Sequence, residues 1–362
     1  MNLRVKRLRE RLAKDGFDAI FIATSENRRY LSGFTGSAGY LVISQDLAII
    51  ATDFRYWEQV GRQCPDFELC KLSGDLATWL PEVLTRAKAK TVAFEAQNVS
   101  VAFHELLKSA LAKMKPGSRP KLMATSDFVE GLRLYKDEKE SDILRRAIEI
   151  ADNAFLAVAP TIKPGETEAA VAWRLEVSMK EQGADGPSFE TIVAAGPNSA
   201  LPHHRPSEKR IERHEPIVLD FGARYQGYCS DITRTVFLGG PDATFQKVYD
   251  YVLAAQETAI AAAQAGMTGH DVDKLARDVI EKAGHGDKFG HGTGHGVGLL
   301  IHENPRVSRN AANELKDGMF YTVEPGIYLP GLGGVRIENI VTLEKGRPVN
   351  LTRAPKKEMQ RL

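Results

Sequence analysis

The chain reads as an α/β (α+β) protein of two domains, and three observations carry that reading. Residues up to about 125 alternate helical and strand periodicity. A long amphipathic helix starts after Lys136. Beyond it, two β-type hairpins each carry a pair of carboxylates inside otherwise apolar strands. At 362 residues the chain is long enough for two cores, and we divide it at 1–130 and 131–362. A net charge of +1 implies no nucleic acid or acidic membrane as a partner, and no apolar run approaches membrane-spanning length.

In the first domain, Leu3, Leu8 and Leu12 form a helical stripe that leads into a strand over 19–23. Further strands are expected over 39–43, 47–52 and 91–94, with helices around 76–88 and 103–113. The run 115–120, with two prolines and a glycine, is a loop. Asp137 and Glu140 then stand in capping-box spacing ahead of an apolar face of Ile143, Leu144, Ala147, Ile148, Ala151 and Phe155. A faint internal repeat follows: Gly165, Thr167, Val171 and Gly183 match Gly266, Thr268, Val272 and Gly284 at one offset, which predicts two related halves. Cys64, Cys70 and Cys229 are an odd set without a C-x-x-C pattern, as in a reducing, cytoplasmic compartment.

The two hairpins bring acids together. Residues 217–225 and 228–238 are β-prone runs joined by Gln226-Gly227; a two-residue turn there sets Gly222 opposite Asp231. Asp220 then lies diagonally across from Asp231, about 7 Å away at the backbone. Strand-like runs 319–324 and 335–341 flank a Gly- and Pro-rich loop over 325–334; folding about Gly331 sets Glu324 opposite Glu338. A lone acid is ordinarily a solvated surface group, but four acids on apolar strands repel one another unless a cation joins them. With His295 in a glycine-rich run between the pairs, the set points to bound metal, and two divalent ions would leave it near neutral.

The motifs Leu219-Asp220-Phe221-Gly222, Ser230-Asp231-Ile232-Thr233-Arg234, Gly294-His295-Gly296-Val297-Gly298, Val323-Glu324-Pro325-Gly326 and Val335-Arg336-Ile337-Glu338 resemble, in order, those of the pita-bread metallopeptidases. Residues 30–37 and 53–56 likewise resemble the creatinase/prolidase N-terminal domain, which points to the Xaa-Pro-cleaving branch. The resemblance implies a creatinase/prolidase-like domain followed by a pita-bread catalytic domain with pseudo-two-fold halves. It implies a dinuclear hydrolase cleaving the bond before proline in proline-containing peptides, as a homodimer.

By that resemblance Asp220 chelates one metal, Asp231 and Glu338 bridge both, and His295 and Glu324 complete the second. Mn²⁺ is the foremost candidate, with Co²⁺, Zn²⁺ or Fe²⁺ as alternatives. Glu324 is the implied proton shuttle, His203 and His302 hold the substrate and the tetrahedral intermediate, and Arg336 orients a bridging carboxylate. The chain departs from the common pattern after His203, where His204-Arg205-Pro206 replaces smaller residues. His291 is expected to line the site; Tyr225, Tyr321 and Tyr328 are candidates for an apolar proline pocket, with core packing as the alternative. Segments 33–37 and 53–56 resemble those of short bacterial aminopeptidase P proteins, which implies an aminopeptidase acting on longer peptides. Two alternatives stand beside it: a dipeptidase (prolidase), and a catalytically inactive pita-bread binding module. A basic group beyond the proline, able to hold a free carboxylate, would favour dipeptides.

Overall fold

A computed structural model describes residues 2–357 and resolves them into two compact units, the first ending at Arg133 and the second beginning at Leu134. In the first unit, the helix Leu3–Asp15 is capped by the Asn2 side chain and ends on Gly16 in the left-handed region. It buries Val5, Leu8 and Leu12; Leu3 points to solvent, so Val5 takes its place at the start of the stripe. A six-stranded mixed sheet runs in the order Glu68–Lys71, Ala48–Thr52, Tyr40–Ser44, Ala19–Ile22, Thr91–Glu95, Lys121–Thr125. Its four inner strands are apolar and almost wholly buried, whereas the two edge strands have no buried residue. That exposure leaves their mixed polar and apolar sequences without the continuous apolar run of the inner strands. Helices Leu76–Arg86 and Val101–Leu111 cover one face through Trp79, Leu80, Val83 and Leu107.

The second unit opens on the helix Glu138–Val158, whose capping box pairs Asp137 with Glu140. It packs with the helix Glu168–Glu181 against a three-stranded sheet of Ile192–Ala195, Ile217–Phe221 and Ile232–Val236. A second helix pair, Ala243–Ala262 and Gly269–Lys282, packs against Phe320–Val323, Gly326–Leu329, Gly333–Arg336 and Asn339–Glu344. The repeat positions play matching parts in the two halves. Gly165 and Gly266 take positive φ just before the N-caps Thr167 and Thr268, Val171 and Val272 are fully buried, and Gly183 and Gly284 close the helices at positive φ.

The strand registers place the acids. Gln226 and Gly227 both have positive φ, as a type I′ turn demands, so Tyr225 pairs with Tyr228 and Arg224 with Cys229. The register continues unshifted beyond the break at Gly222, with Phe221 opposite Ile232 and Asp220 opposite Thr233. In the other half, Val323 pairs with Asn339 and Gly326 with Arg336, one register on both sides of the interruption at Glu324 and Glu338. The segment expected as a loop over 325–334 is mostly a hairpin of its own, Gly326–Leu329 against Gly333–Arg336. Its glycines 333 and 334 lie tight against Ser199 and Tyr328, which sequence alone reads as flexibility. No helix among the described residues is long and apolar enough to cross a membrane.

Candidate metal centre and active site

Asp220, Asp231, His295, Glu324 and Glu338 all line one cavity of about 610 Å³, together with His203, His204, His291, His302, Arg306 and Arg336. Both hairpins break where the acids stand. At Glu324 the backbone N–H leaves its ladder for Thr293 O, 2.8 Å away, and Glu338 N–H donates to Thr233 O at 3.0 Å. Glu338 is thereby seated against the first hairpin. Asp231, His295 and Glu338 present one donor atom each within 4.8 Å of one another. Glu324 joins through Oε1, 3.3 Å from His295 Nε2, and Asp231 Oδ2 lies 3.7 Å from the same nitrogen.

The second oxygens of these carboxylates are held from behind. Arg336 donates to Asp220 Oδ2 at 2.5 Å and Thr233 to Glu338 Oε2 at 2.7 Å, whereas at Glu324 the Thr322 hydroxyl donates at 3.1 Å to the same Oε1 that faces His295. Asp220 Oδ1 and Glu338 Oε1 are buried and have no hydrogen-bond partner among the described residues. His295 Nδ1 lies 3.1 Å from Gly296 O, so it carries the proton and Nε2 presents a lone pair. That lone pair faces two carboxylate oxygens. Acceptors on acceptors, with orphaned buried oxygens behind them, call for protons or a cation between them. The donor set therefore fits bound divalent metal.

Electrostatics agree. Burial first, then the charges of Glu338, Asp220 and Glu324, push the Asp231 carboxyl well above its usual range. Burial, then Glu324 and Asp220, does the same to Glu338. Glu324 is raised to about 7, chiefly by burial, against the opposing pull of Arg336. His295 is pushed down to about 3 by burial and then by His302, so it is neutral and fit to ligate. A divalent ion would reverse the carboxyl shifts.

The remaining residues fall into three groups. His302 stacks edge-on against His295, ring centroids 4.4 Å apart, and burial lowers its pKa. His203 lies on the exposed rim of the same cavity. His291 is buried enough that its pKa falls to about 4; its Nδ1–H faces Gly292 O, so Nε2 accepts from the Tyr328 hydroxyl at 2.8 Å. Arg336 donates to that same hydroxyl at 2.8 Å. Tyr328 is thus a buried link between His291 and Arg336 and does not line the cavity. Tyr321 is wholly buried, and Tyr225 packs on the core.

Several contributors went unnoticed in the sequence. Asp273 and Arg277, one turn apart on the helix Gly269–Lys282, form a buried ion pair at 2.8 Å. Asp273 accepts from the Thr293 amide and hydroxyl, and Arg277 donates to Phe289 O and His291 O, so the pair shapes the approach to His295. Arg306, on Glu303–Val307 and in register with His295, reaches the cavity wall four residues after His302. Only its spacing from His302 could have flagged it.

Comparison with known proteins matches this geometry. Residues 142–345 match metallopeptidase family M24, and residues 4–135 match the creatinase/prolidase N-terminal domain. The chain is 38% identical over 355 residues to an Xaa-Pro dipeptidase of Pyrococcus horikoshii, covering 98% of this chain and 97% of that protein. A solved Xaa-Pro dipeptidase from Bacillus anthracis aligns with a TM-score of 0.95 at 40% identity, over 99% of both chains. An X-Pro aminopeptidase from Thermotoga maritima aligns with a TM-score of 0.89 at 40% identity, over 98% of both. With the motifs in order, the five donors at one cavity and matches along nearly the whole chain, the protein belongs to the prolidase/aminopeptidase P group of metallopeptidase family M24.

Proposed function

We propose that this metallopeptidase is an Xaa-Pro dipeptidase, hydrolysing the bond between an N-terminal residue and a C-terminal proline. The observation that carries the choice is Arg306. It stands at the wall of the cavity that holds the five donors, and its guanidinium makes no hydrogen bond or ion pair with any described residue. Arg205, the other arginine at the rim, is already engaged by Glu190 at 3.2 Å. An unengaged guanidinium is suited to the free carboxylate that a dipeptide presents after its proline. This reading replaces the aminopeptidase preference drawn from segments 33–37 and 53–56. The inactive-module alternative is set aside, because every donor that such a module would lack is present and turned to one cavity.

In this reading Asp220, Asp231, His295, Glu324 and Glu338 hold two divalent ions, with Mn²⁺ favoured by four hard carboxylates and one imidazole. Such ions would supply Lewis acidity toward the scissile carbonyl and a water acidified toward neutral pH. Glu324 takes the proton from the attacking water and passes it to the proline nitrogen, which needs it to leave as an amine. His203 and His302 donate hydrogen bonds to the carbonyl oxygen as its charge grows. Arg336 and Tyr328 keep Asp220 and His291 fixed meanwhile. The three free cysteines accord with a cytoplasmic setting.

The test compares an Xaa-Pro dipeptide with the matching Xaa-Pro-Yaa tripeptide on Mn²⁺-loaded protein. The dipeptide should be the better substrate. Arg306→Gln should raise its KM by roughly 10- to 100-fold, the loss of a charge-assisted pair, and barely change the tripeptide's. Faster tripeptide hydrolysis, unaffected by Arg306→Gln, would return the enzyme to the aminopeptidase reading.

A further inference from the structure

The loop that carries His203 is closed by one buried carboxylate. Glu168 is the first residue of the helix Glu168–Glu181, and its side chain has no solvent exposure. Five hydrogen bonds converge on it from both ends of the loop. Oε1 accepts from the Ala195 amide at 2.8 Å and from the Asn198 side chain at 3.0 Å. Oε2 accepts from the Ser207 amide at 3.1 Å, the Ser207 hydroxyl at 2.6 Å and His204 Nε2 at 2.9 Å. Two backbone bonds fasten the same corner, Glu168 N to Lys209 O and Ala169 N to Ser207 O. Between Ala195 and Ser207 the chain makes the excursion that brings Pro202, His203, His204 and Arg205 to the cavity.

The charge of this residue matters as much as its shape. Neither Lys nor Arg is among the described groups bonded to the Glu168 carboxylate, yet the donors outweigh burial and hold its pKa below the usual glutamate value. An ionised carboxylate offers acceptors only, which suits five donors. Glutamine has nearly the same volume, but its NH₂ would face an N–H or O–H on one side of the loop. The position at the N-terminus of a helix adds further support for the anion.

We propose that Glu168 is a positioning residue for His203. It closes the 195–207 loop, and His204 acts as a donor to that closure and does not touch substrate. The inference rests on the dipeptidase reading for its activity readout, but its structural readout is independent of it.

The experiment is a double-mutant comparison on the metal-loaded protein, joined to amide hydrogen exchange. Glu168→Gln should lower kcat on an Xaa-Pro dipeptide roughly tenfold, in the range for residues that orient a catalytic group, with metal content unchanged. In a His203→Ala background the same substitution should cost less than about twofold, because the residue it positions is gone. Exchange protection across 196–207 should fall by at least roughly tenfold in Glu168→Gln while the helix pairs keep theirs. His204→Ala should reproduce part of the loss, and His204→Gln, which keeps a donor, should restore it. Equal losses with and without His203 would overturn the proposal, as would unchanged protection over 196–207. Should wild type fail to cleave any Xaa-Pro dipeptide, the functional reading falls, and the exchange result alone decides the loop closure.

Discussion

At the scale of single residues, the centre depends on groups that never touch metal or substrate. Thr233 shows how. Its hydroxyl donates to Glu338 Oε2 at 2.7 Å and accepts from Arg336 Nε at 3.2 Å, while its carbonyl accepts the Glu338 amide. One small side chain therefore aims a carboxylate and seats an arginine. Thr233→Val keeps the shape and the β-branch but removes both bonds, leaving a buried carboxylate oxygen unpaired. We expect Mn²⁺ affinity to fall roughly 10- to 100-fold with secondary structure intact, as for other groups that orient metal ligands. Isothermal titration of the metal-free protein checks it, and an unchanged affinity would show that Glu338 needs no orienting donor. Glu324→Gln removes a metal donor and the proton carrier together: kcat should drop by roughly 10²–10⁴ even where the metal content, measured alongside, is restored by excess Mn²⁺.

At the scale of elements, close backbone approaches matter as much as side-chain chemistry. Gly222 sits where the first hairpin passes from one small sheet to the next, between Asp220 and the turn. A Cβ added there would collide with the Ser230 carbonyl, a backbone atom that cannot swing aside. Gly222→Ala should therefore displace the Ser230-Asp231 segment that joins the two strands opposite. A cost of about 1–3 kcal/mol is expected, as for overpacking, together with weaker metal binding. Thermal unfolding with and without Mn²⁺ measures both. This hairpin was legible in the sequence because two turn residues set its register, and a register, once set, carries every later pair with it. The edge strands Glu68–Lys71 and Lys121–Thr125 were not legible, since their half-exposed residues mix polar and apolar side chains without a continuous buried run. Glu168 and Asp273 were equally invisible, because each bonds segments 20 or more residues away along the chain and no local pattern marks such a contact.

At the scale of the whole molecule, the crowded acids link stability, pH and metal. In the metal-free protein the carboxyls of Asp231 and Glu338 stand well above their usual values and Glu324 near 7, whereas in the unfolded chain they return to about 4. Between those limits the folded protein binds more protons than the unfolded one, so its stability falls as pH rises through the window. The contribution of these groups is fully present below about pH 4 and is lost as pH passes through about 7 and above. Other groups, Glu168 among them, run the opposite way: its lowered pKa favours the fold above the ordinary glutamate value and is lost in acid. The net optimum of the metal-free protein should therefore lie on the acid side of neutrality. Mn²⁺ must displace the protons that the crowded acids hold, so its stabilising effect should grow with pH. At about 100 times its dissociation constant and pH 8, the ion should add about 2.7 kcal/mol, or roughly 5–10 °C in the unfolding of the second unit. At pH 5 the same concentration should add far less. Scanning calorimetry with and without chelator, at pH 5 and pH 8, measures the difference directly. A metal-induced shift independent of pH would mean that the five donors are already ionised without the metal, and that the cation does not carry the charge balance assigned to it.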